Sequence, residues 1–129
     1  NKKKINYLEN FDPSLPNIYG NTDQLEQLFI NLLKNAAEAI SKDNGIIKIS
    51  TRYEHTNLPI KVIIEDNGIG IPNDLKENIF DAFVTNKTNG KGLGLSICAK
   101  IIHAHSGTIK FDTINNKTLF TVMFEKLKK

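Results

Sequence analysis

A long stripe of apolar residues between positions 22 and 41 restricts the fold of this chain more than any other feature. Its members recur at the i, i+3, i+4, i+7 spacing of one helical face: Leu25, Leu28, Phe29, Leu32, Leu33, Ala36, Ala37 and Ile40. Asn21 or Thr22 can cap the helix, and Asp23 lies in its first turn. We therefore expect an amphipathic helix to about Ser41 whose apolar face packs on a second layer.

Segments of alternating apolar and polar residues surround this helix and are typical of strands. We expect extended segments at 5–10 and 17–19, and an antiparallel pair at 46–54 and 60–65. A short helix from Pro72 to near Phe83, a polar loop over 84–92 and a helix from Leu93 to His105 follow. A closing hairpin takes 108–113 and 118–125. This order predicts an α+β fold, a two-layer α/β sandwich whose mixed, mostly antiparallel sheet has helices on one face.

Size and composition indicate one domain without a membrane span. The 129 residues carry a net charge of +3, from 17 basic and 14 acidic residues, and much of the excess lies in the two lysine-rich ends. We interpret these ends as solvated and expect no nucleic acid partner. No apolar run approaches the roughly 20 residues that cross a bilayer, and the single Cys98 suits a reducing, cytoplasmic compartment. Because the chain starts at Asn1, we expect residues 1–129 to be one domain of a longer protein.

Asp66 follows the apolar run 62–64 and precedes two glycines, Gly68 and Gly70. Such a strand end can bind a nucleotide base, because the carboxylate accepts from an exocyclic amine and the glycines let the base approach the backbone. The sequence Asn67-Gly68 is also typical of a two-residue hairpin turn. These residues alone leave both interpretations open.

Asn31 and Asn35 are four residues apart on the first helix and therefore share a face. A solvated polar face is the ordinary explanation, but asparagine is a poor helix former among these leucines and alanines. An amide oxygen is a neutral hard ligand, which suits Mg²⁺ when phosphates supply other ligands. The pair is a candidate site for metal and phosphate.

A glycine-rich segment, 90–96, opens the second long helix. Its backbone N–H groups at a helix N-terminus can bind phosphate. It is not a Walker A loop, which would need glycine where Thr85 stands, and it lacks the preceding strand of a dinucleotide fingerprint. In the polar loop before it, Lys87 is a mobile charge that suits a γ-phosphate, while Phe80 and Phe83 either pack in the core or flank the loop.

These segments, in this order, resemble the catalytic and ATP-binding domain of bacterial sensor histidine kinases, which belongs to the Bergerat-fold superfamily. The resemblance lies in four stretches that match the family's N, G1, F and G2 boxes: Asn31–Ala36, Asp66–Gly70, Ile79–Phe83 and Gly90–Leu95. A further likeness, Thr85-Asn86-Lys87, is to the nitrogen-regulation and sporulation branches. The match covers nearly all of residues 15–125, and four ordered motifs are far more specific than any one of them.

The resemblance implies that ATP and Mg²⁺ bind and gives matching positions their roles. Asp66 would accept from the adenine amine, Asn35 would bind Mg²⁺, and Asn31 would lie beside the phosphates. Thr118 would support Asp66 through water, although Lys117 stands where the family usually has glycine. The stretch 84–92 would be the ATP lid. The implied nucleotide-binding set is Asn31, Asn35, Asp66, Gly68, Gly70, Ile71, Phe83, Lys87, Gly90, Gly92, Leu93, Gly94, Leu95 and Thr118, with Asn31 and Lys87 also catalytic.

The implied reaction is transfer of the ATP γ-phosphate to a histidine on a separate dimerisation domain, with a response regulator downstream. Hydrolysing members of the superfamily have glutamate where Asn31 stands; an amide cannot take a proton, so attack by water is unassisted here. None of His55, His103 and His105 is followed by the acidic and basic residues typical of the family's acceptor.

Two other functions remain open from sequence. One is an anti-sigma-type serine kinase of the same fold, against which Asn31 counts because that class usually has glutamate there. The other is a module that binds nucleotide or a protein partner without turnover.

Overall fold

Two helices and five strands make up the part of the chain that the computed structural model describes, residues 4–41, 44–70 and 93–126. In chain order they are β1 (Ile5–Asn10), α1 (Thr22–Ala39), β2 (Gly45–Tyr53), β3 (Ile60–Asp66), α2 (Leu93–Ala104), β4 (Thr108–Ile114) and β5 (Lys117–Phe124). The helix predicted from Pro72 to near Phe83 and the loop predicted over 84–92 lie outside these residues.

The strands form one sheet in the order β1-β2-β3-β5-β4. β1 runs parallel to β2, and each of the other neighbouring pairs is antiparallel. The predicted mixed, mostly antiparallel sheet is therefore confirmed. β5 pairs with β3 although α2 and β4 lie between them in sequence, and this pairing brings Thr118 opposite Asp66.

The N-terminal end of α1 is capped as the sequence predicted. Asn21 has extended backbone, and its side-chain oxygen accepts from the Gln24 N–H at 3.0 Å. This bond satisfies one of the N–H groups that a helix start leaves without an intrahelical acceptor. Asp23 adds a favourable negative charge in the first turn. At the other end, the backbone becomes extended at Ile40, so the helix stops at Ala39.

Both helices pack on the same face of the sheet, which confirms the two-layer α/β sandwich. Even-numbered residues of β3 and β5 point to that face, as the period of a strand requires. The core formed there contains Leu28, Leu32, Ala36, Ile40, Ile47, Ile60, Ile64, Cys98, Ile101, Ile102, Phe120, Val122 and Phe124. Neither helix of the described part is long and apolar enough to cross a membrane.

Two contacts show that α2 runs antiparallel to α1. The Cys98 thiol contacts the Leu28 carbonyl oxygen at 3.7 Å near the middle of both helices. At one end, the His105 Nε2 accepts from the Asn21 N–H at 3.0 Å. The His105 Nδ1 lies 2.8 Å from the Ile101 carbonyl oxygen, so it is Nδ1 that carries the proton. The α2 N-terminus therefore lies towards the C-terminal half of α1, where the two candidate amides are.

Candidate functional site

Asp66 is the last residue of β3, on the face that the helices cover. The strand alternation that buries Ile60 and Ile64 buries this carboxylate as well, leaving the residue 3% exposed. Its ladder partner on β5 is Thr118, which is 4% exposed, and directly opposed residues share a face of the sheet. A carboxylate and a hydroxyl thus lie side by side at the edge of an apolar core.

The charge of Asp66 is only partly compensated. Burial raises the pKa of its carboxyl group, the hydrogen bond from the Gly68 N–H opposes that rise, and the neighbouring Glu65 charge adds to it. No lysine, arginine or histidine among residues 4–41, 44–70 and 93–126 forms an ion pair with it. A buried carboxylate in this setting gains stability from any further N–H donor that approaches it.

The turn after Asp66 is attached to the end of α1. The Gly68 N–H donates to Asp66 Oδ1 at 2.9 Å, and the Ile69 N–H donates to the Ala39 carbonyl oxygen at 2.9 Å. A Cβ atom added at Gly68 would lie 2.5 Å from that same carbonyl oxygen, which no side chain could accept without movement. Glycine is therefore required here by close approach of two backbones.

Gly70 leaves space beside the Asp66 and Thr118 pair. Its φ of 81° lies in the left-handed region that favours glycine. A Cβ atom added there would contact only the Thr118 Oγ1, at 3.8 Å, within 4 Å among the described residues. In the predicted glycine turn, Gly68 therefore lies against the α1 backbone, whereas the space beside Gly70 is open among the described residues.

Asn67 braces the same turn, and the sequence did not predict this. Its Oδ1 accepts from the Ile46 N–H at 2.8 Å, and its Nδ2 donates to the Asn44 carbonyl oxygen at 3.2 Å. Its backbone N–H donates to the Ile46 carbonyl oxygen at 3.3 Å. An Asn-Gly pair indicates a turn, but nothing in its sequence indicates which distant backbone it will bind.

The two helix amides lie on partly buried surface. Burial raises the pKa of the Cys98 thiol on α2 to about 11, and a side-chain hydrogen bond with Asn31 opposes that rise. The amide nitrogen of Asn35 is fully buried. Asn31, Asn35 and Ala39 follow one another at four-residue intervals, so one face of α1 carries both amides and the carbonyl that binds the turn. This face is not simply a solvated one.

Some of the remaining predicted residues lie in α2, and the others lie outside the part of the chain that the structure describes. Leu93 and Gly94 begin α2, and Leu95 is half-buried against the core. Ile71, Phe83, Lys87, Gly90 and Gly92 lie outside the described residues. The structure thus brings together the carboxylate, its threonine partner, the glycine turn and the helix that carries the amides.

Comparison with known sequences identifies related proteins. A family model described as "Histidine kinase-, DNA gyrase B-, and HSP90-like ATPase" matches residues 20–128. The sensory histidine kinase/phosphatase NtrB of Azospirillum brasilense is 48% identical over 132 residues, covering 93% of this chain and 33% of that protein. NtrB of Rhizobium meliloti is 43% identical over 134 residues, covering 94% of this chain and 35% of that protein. The chain therefore spans about a third of the length of these curated relatives.

Solved structures with the same fold are also histidine kinases. A nucleotide-free catalytic domain of histidine kinase ThkA matches with a TM-score of 0.82 and 36% identity, over 95% of this chain and 80% of that chain. ThkA in complex with response regulator protein TrrA matches with a TM-score of 0.78 and 34% identity, over 95% of this chain and 34% of that chain.

Proposed function

The chain belongs to the family of histidine kinase-, DNA gyrase B- and HSP90-like ATPases, and we propose that it binds Mg²⁺–ATP and donates the γ-phosphate to a histidine on a separate dimerisation domain. In sequence and fold it is a catalytic domain of the sensor histidine kinase type. The observation that carries the proposal is the buried Asp66 carboxylate beside Thr118 and the open glycine turn.

Asp66 recognises adenine. Its Oδ1 is occupied by the Gly68 N–H, which leaves the second oxygen for the exocyclic amine of the base. The Thr118 hydroxyl supports the carboxylate directly or through water. Gly70 lets the flat base lie near the backbone, because a hydrogen replaces the side chain there. Guanine carries an oxygen at the position of that amine, so in the same orientation it presents an acceptor to this carboxylate there instead of a donor.

The α1 amides serve the phosphate end of the nucleotide. Amide oxygens are hard, neutral donors of the kind that Mg²⁺ accepts beside phosphates and water, so the residues present fit this metal. Asn35 would hold the ion, and Asn31 would lie next to the phosphates. When bound, Mg²⁺ neutralises charge on the phosphate oxygens.

Asn31 favours transfer over hydrolysis. A carboxylate at this position could take a proton from water, whereas an amide cannot. Phosphoryl transfer depends mainly on alignment and charge neutralisation, which the amides and the proposed lid residues Lys87, Gly90, Gly92 and Gly94 would supply. Ile71, Phe83, Leu93 and Leu95 would complete the nucleotide pocket. The nucleophile would be an imidazole from the partner domain.

The partners follow from the same proposal. The first partner is a histidine-bearing dimerisation domain of the parent protein, which would accept the phosphate. The second is a response regulator, which would act downstream of it. The ThkA–TrrA complex supports the second of these, since that relative was solved with a response regulator. The domain would act in the cytoplasm.

Calorimetry with ATP, with and without Mg²⁺, tests nucleotide binding by the wild-type chain. Mixing the chain with the dimerisation domain of its parent protein and ATP then tests transfer. The proposal predicts phosphate on histidine, which acid removes and base does not. Acid-stable phosphoserine on another protein would favour the serine kinase, binding without transfer would favour an interaction module, and no ATP binding would refute all three nucleotide functions.

A further inference from the structure

The β2–β3 ladder ends in an unusual way at Asn67. Its last pair is Ile47 with Asp66, and the Asn67 N–H then donates to the Ile46 carbonyl oxygen at 3.3 Å. In a regular antiparallel pair, the Ile46 N–H would return a bond to the main-chain carbonyl of residue 67. It donates instead to the side-chain Oδ1 of Asn67, at 2.8 Å. The amide therefore replaces a peptide carbonyl in the ladder.

The other end of the same amide is also bound. Asn67 Nδ2 donates to the Asn44 carbonyl oxygen at 3.2 Å, and Asn44 has a left-handed φ of 74°. The two neighbours fix which end of the amide is oxygen, because one offers a donor and the other an acceptor. Only a side chain with both functions at this length makes both bonds.

Because the Asn67 side chain takes the place of a main-chain carbonyl, the main chain is free to turn towards α1. The backbone after Asn67 leaves β2, and Ile69 reaches the Ala39 carbonyl oxygen at 2.9 Å. The same path brings the Gly68 N–H onto Asp66 Oδ1 at 2.9 Å. The orientation of the carboxylate therefore depends on a turn whose start the Asn67 amide holds.

We propose that Asn67 is a positioning residue for adenine selectivity: its amide braces the turn that orients the Asp66 carboxylate towards the amine of the base. The inference rests on the proposed function, because it concerns the base that Asp66 recognises. Asn67 itself acts through Asp66 and Gly68 and contacts the β2 side of the turn.

The test compares ATP with ITP, which carries an oxygen in place of the adenine amine. Affinities of both are measured for the wild-type chain, Asn67→Ala, Asn67→Asp and the control Asn57→Ala. Asn57 is an exposed asparagine in the segment joining the opposite ends of β2 and β3, roughly 20 Å from Asn67 along the strands. Asn67→Asp is isosteric and keeps an acceptor for Ile46, but it places an oxygen against the Asn44 carbonyl.

We expect Asn67→Ala to weaken ATP binding about three- to tenfold, the factor for one net hydrogen bond, while ITP binding changes less than about twofold. Asn67→Asp should also reduce the ATP-to-ITP ratio, and Asn57→Ala should leave it unchanged. Reduced folding or added charge would weaken the binding of ATP and ITP equally, so neither changes the ATP-to-ITP affinity ratio.

Equal weakening of both nucleotides, or an unchanged ratio in both Asn67 variants, would overturn the inference. A wild-type chain that binds neither nucleotide would instead refute the proposed function. A wild type that prefers ATP, with variants that keep the same preference, would leave the proposed function standing and remove only the role of Asn67.

Discussion

Replacing Asp66 with asparagine should stabilise the ligand-free domain and weaken ATP binding in the same variant. Burial raises the pKa of the Asp66 carboxyl group, so its charged form is less favourable in the folded state than in the unfolded chain. The folded-state pKa therefore lies above the ordinary value of 3.8, and this group lowers stability as pH rises through the interval between the two. Asparagine carries no charge, so the variant should be more stable than wild type at neutral pH. That advantage should shrink as pH falls towards 3.8.

The expected loss of ATP affinity in Asp66→Asn follows from the number of acceptor oxygens on the side chain at position 66. The carboxylate offers one oxygen to the Gly68 N–H, at 2.9 Å, and its second oxygen to the base. An asparagine in the same place has a single oxygen, so one of the two donors must face an NH₂ group. A hydrogen bond to a charged group contributes about 1.5–3 kcal/mol, which corresponds to roughly a ten- to hundredfold increase in Kd.

Calorimetry with Mg²⁺–ATP measures the loss of affinity. Urea denaturation between about pH 4 and pH 8 measures the gain in stability across the range in which a buried carboxyl group titrates. Asp112→Asn is the matched control, because Asp112 is an exposed strand aspartate on β4. Unchanged ATP affinity in Asp66→Asn would refute the adenine assignment. A variant less stable than wild type at neutral pH would refute the argument from burial.

The remaining predictions concern the amides and the thiol. Asn35→Ala should abolish most of the Mg²⁺-dependent gain in ATP affinity; calorimetry that finds the same gain in mutant and wild type would contradict the metal role. Asn31→Glu should raise the slow release of phosphate from ATP, because a carboxylate can act as a base; an unchanged rate would leave Asn31 without its proposed effect on hydrolysis. Cys98 should resist a thiol-reactive disulfide at pH 8 in the native chain and react in urea, since it is 0% exposed and burial raises its pKa to about 11. Native reaction at the rate of a free thiol would contradict the buried position.

Local patterns predicted the elements better than they predicted their arrangement. The stripe from Leu25 to Ile40 and the cap at Asn21 identified α1 because both depend on neighbours within one or two turns. The position of β5 between β3 and β4, and the parallel pairing of β1 with β2, depend on contacts between distant segments. A strand pattern shows that a segment pairs, but packing decides with which partner.

The same distinction applies to the site. The sequence singles out Asp66, Gly68 and Asn35 because their residue types and spacings are unusual for a plain strand end or helix face, and their roles in the site stay predictions. The Asn67 brace and the Asn31 contact with Cys98 could not be predicted, since each joins elements far apart in sequence. Cys98 is 0% exposed in the core, as is typical of an unpaired cysteine.

The described part of the site is organised by one helix. Asn31, Asn35 and Ala39 lie at successive four-residue steps along α1, about 6 Å apart along its axis. The last of them binds the turn that carries Asp66, through the bond from Ile69. Because a helix is stiff over two turns, the separation between the proposed metal amide and the proposed adenine carboxylate is set by α1 rather than by loops. The proposed transfer to an external histidine would require this arrangement, since an amide at position 31 can contribute alignment but cannot act as a base.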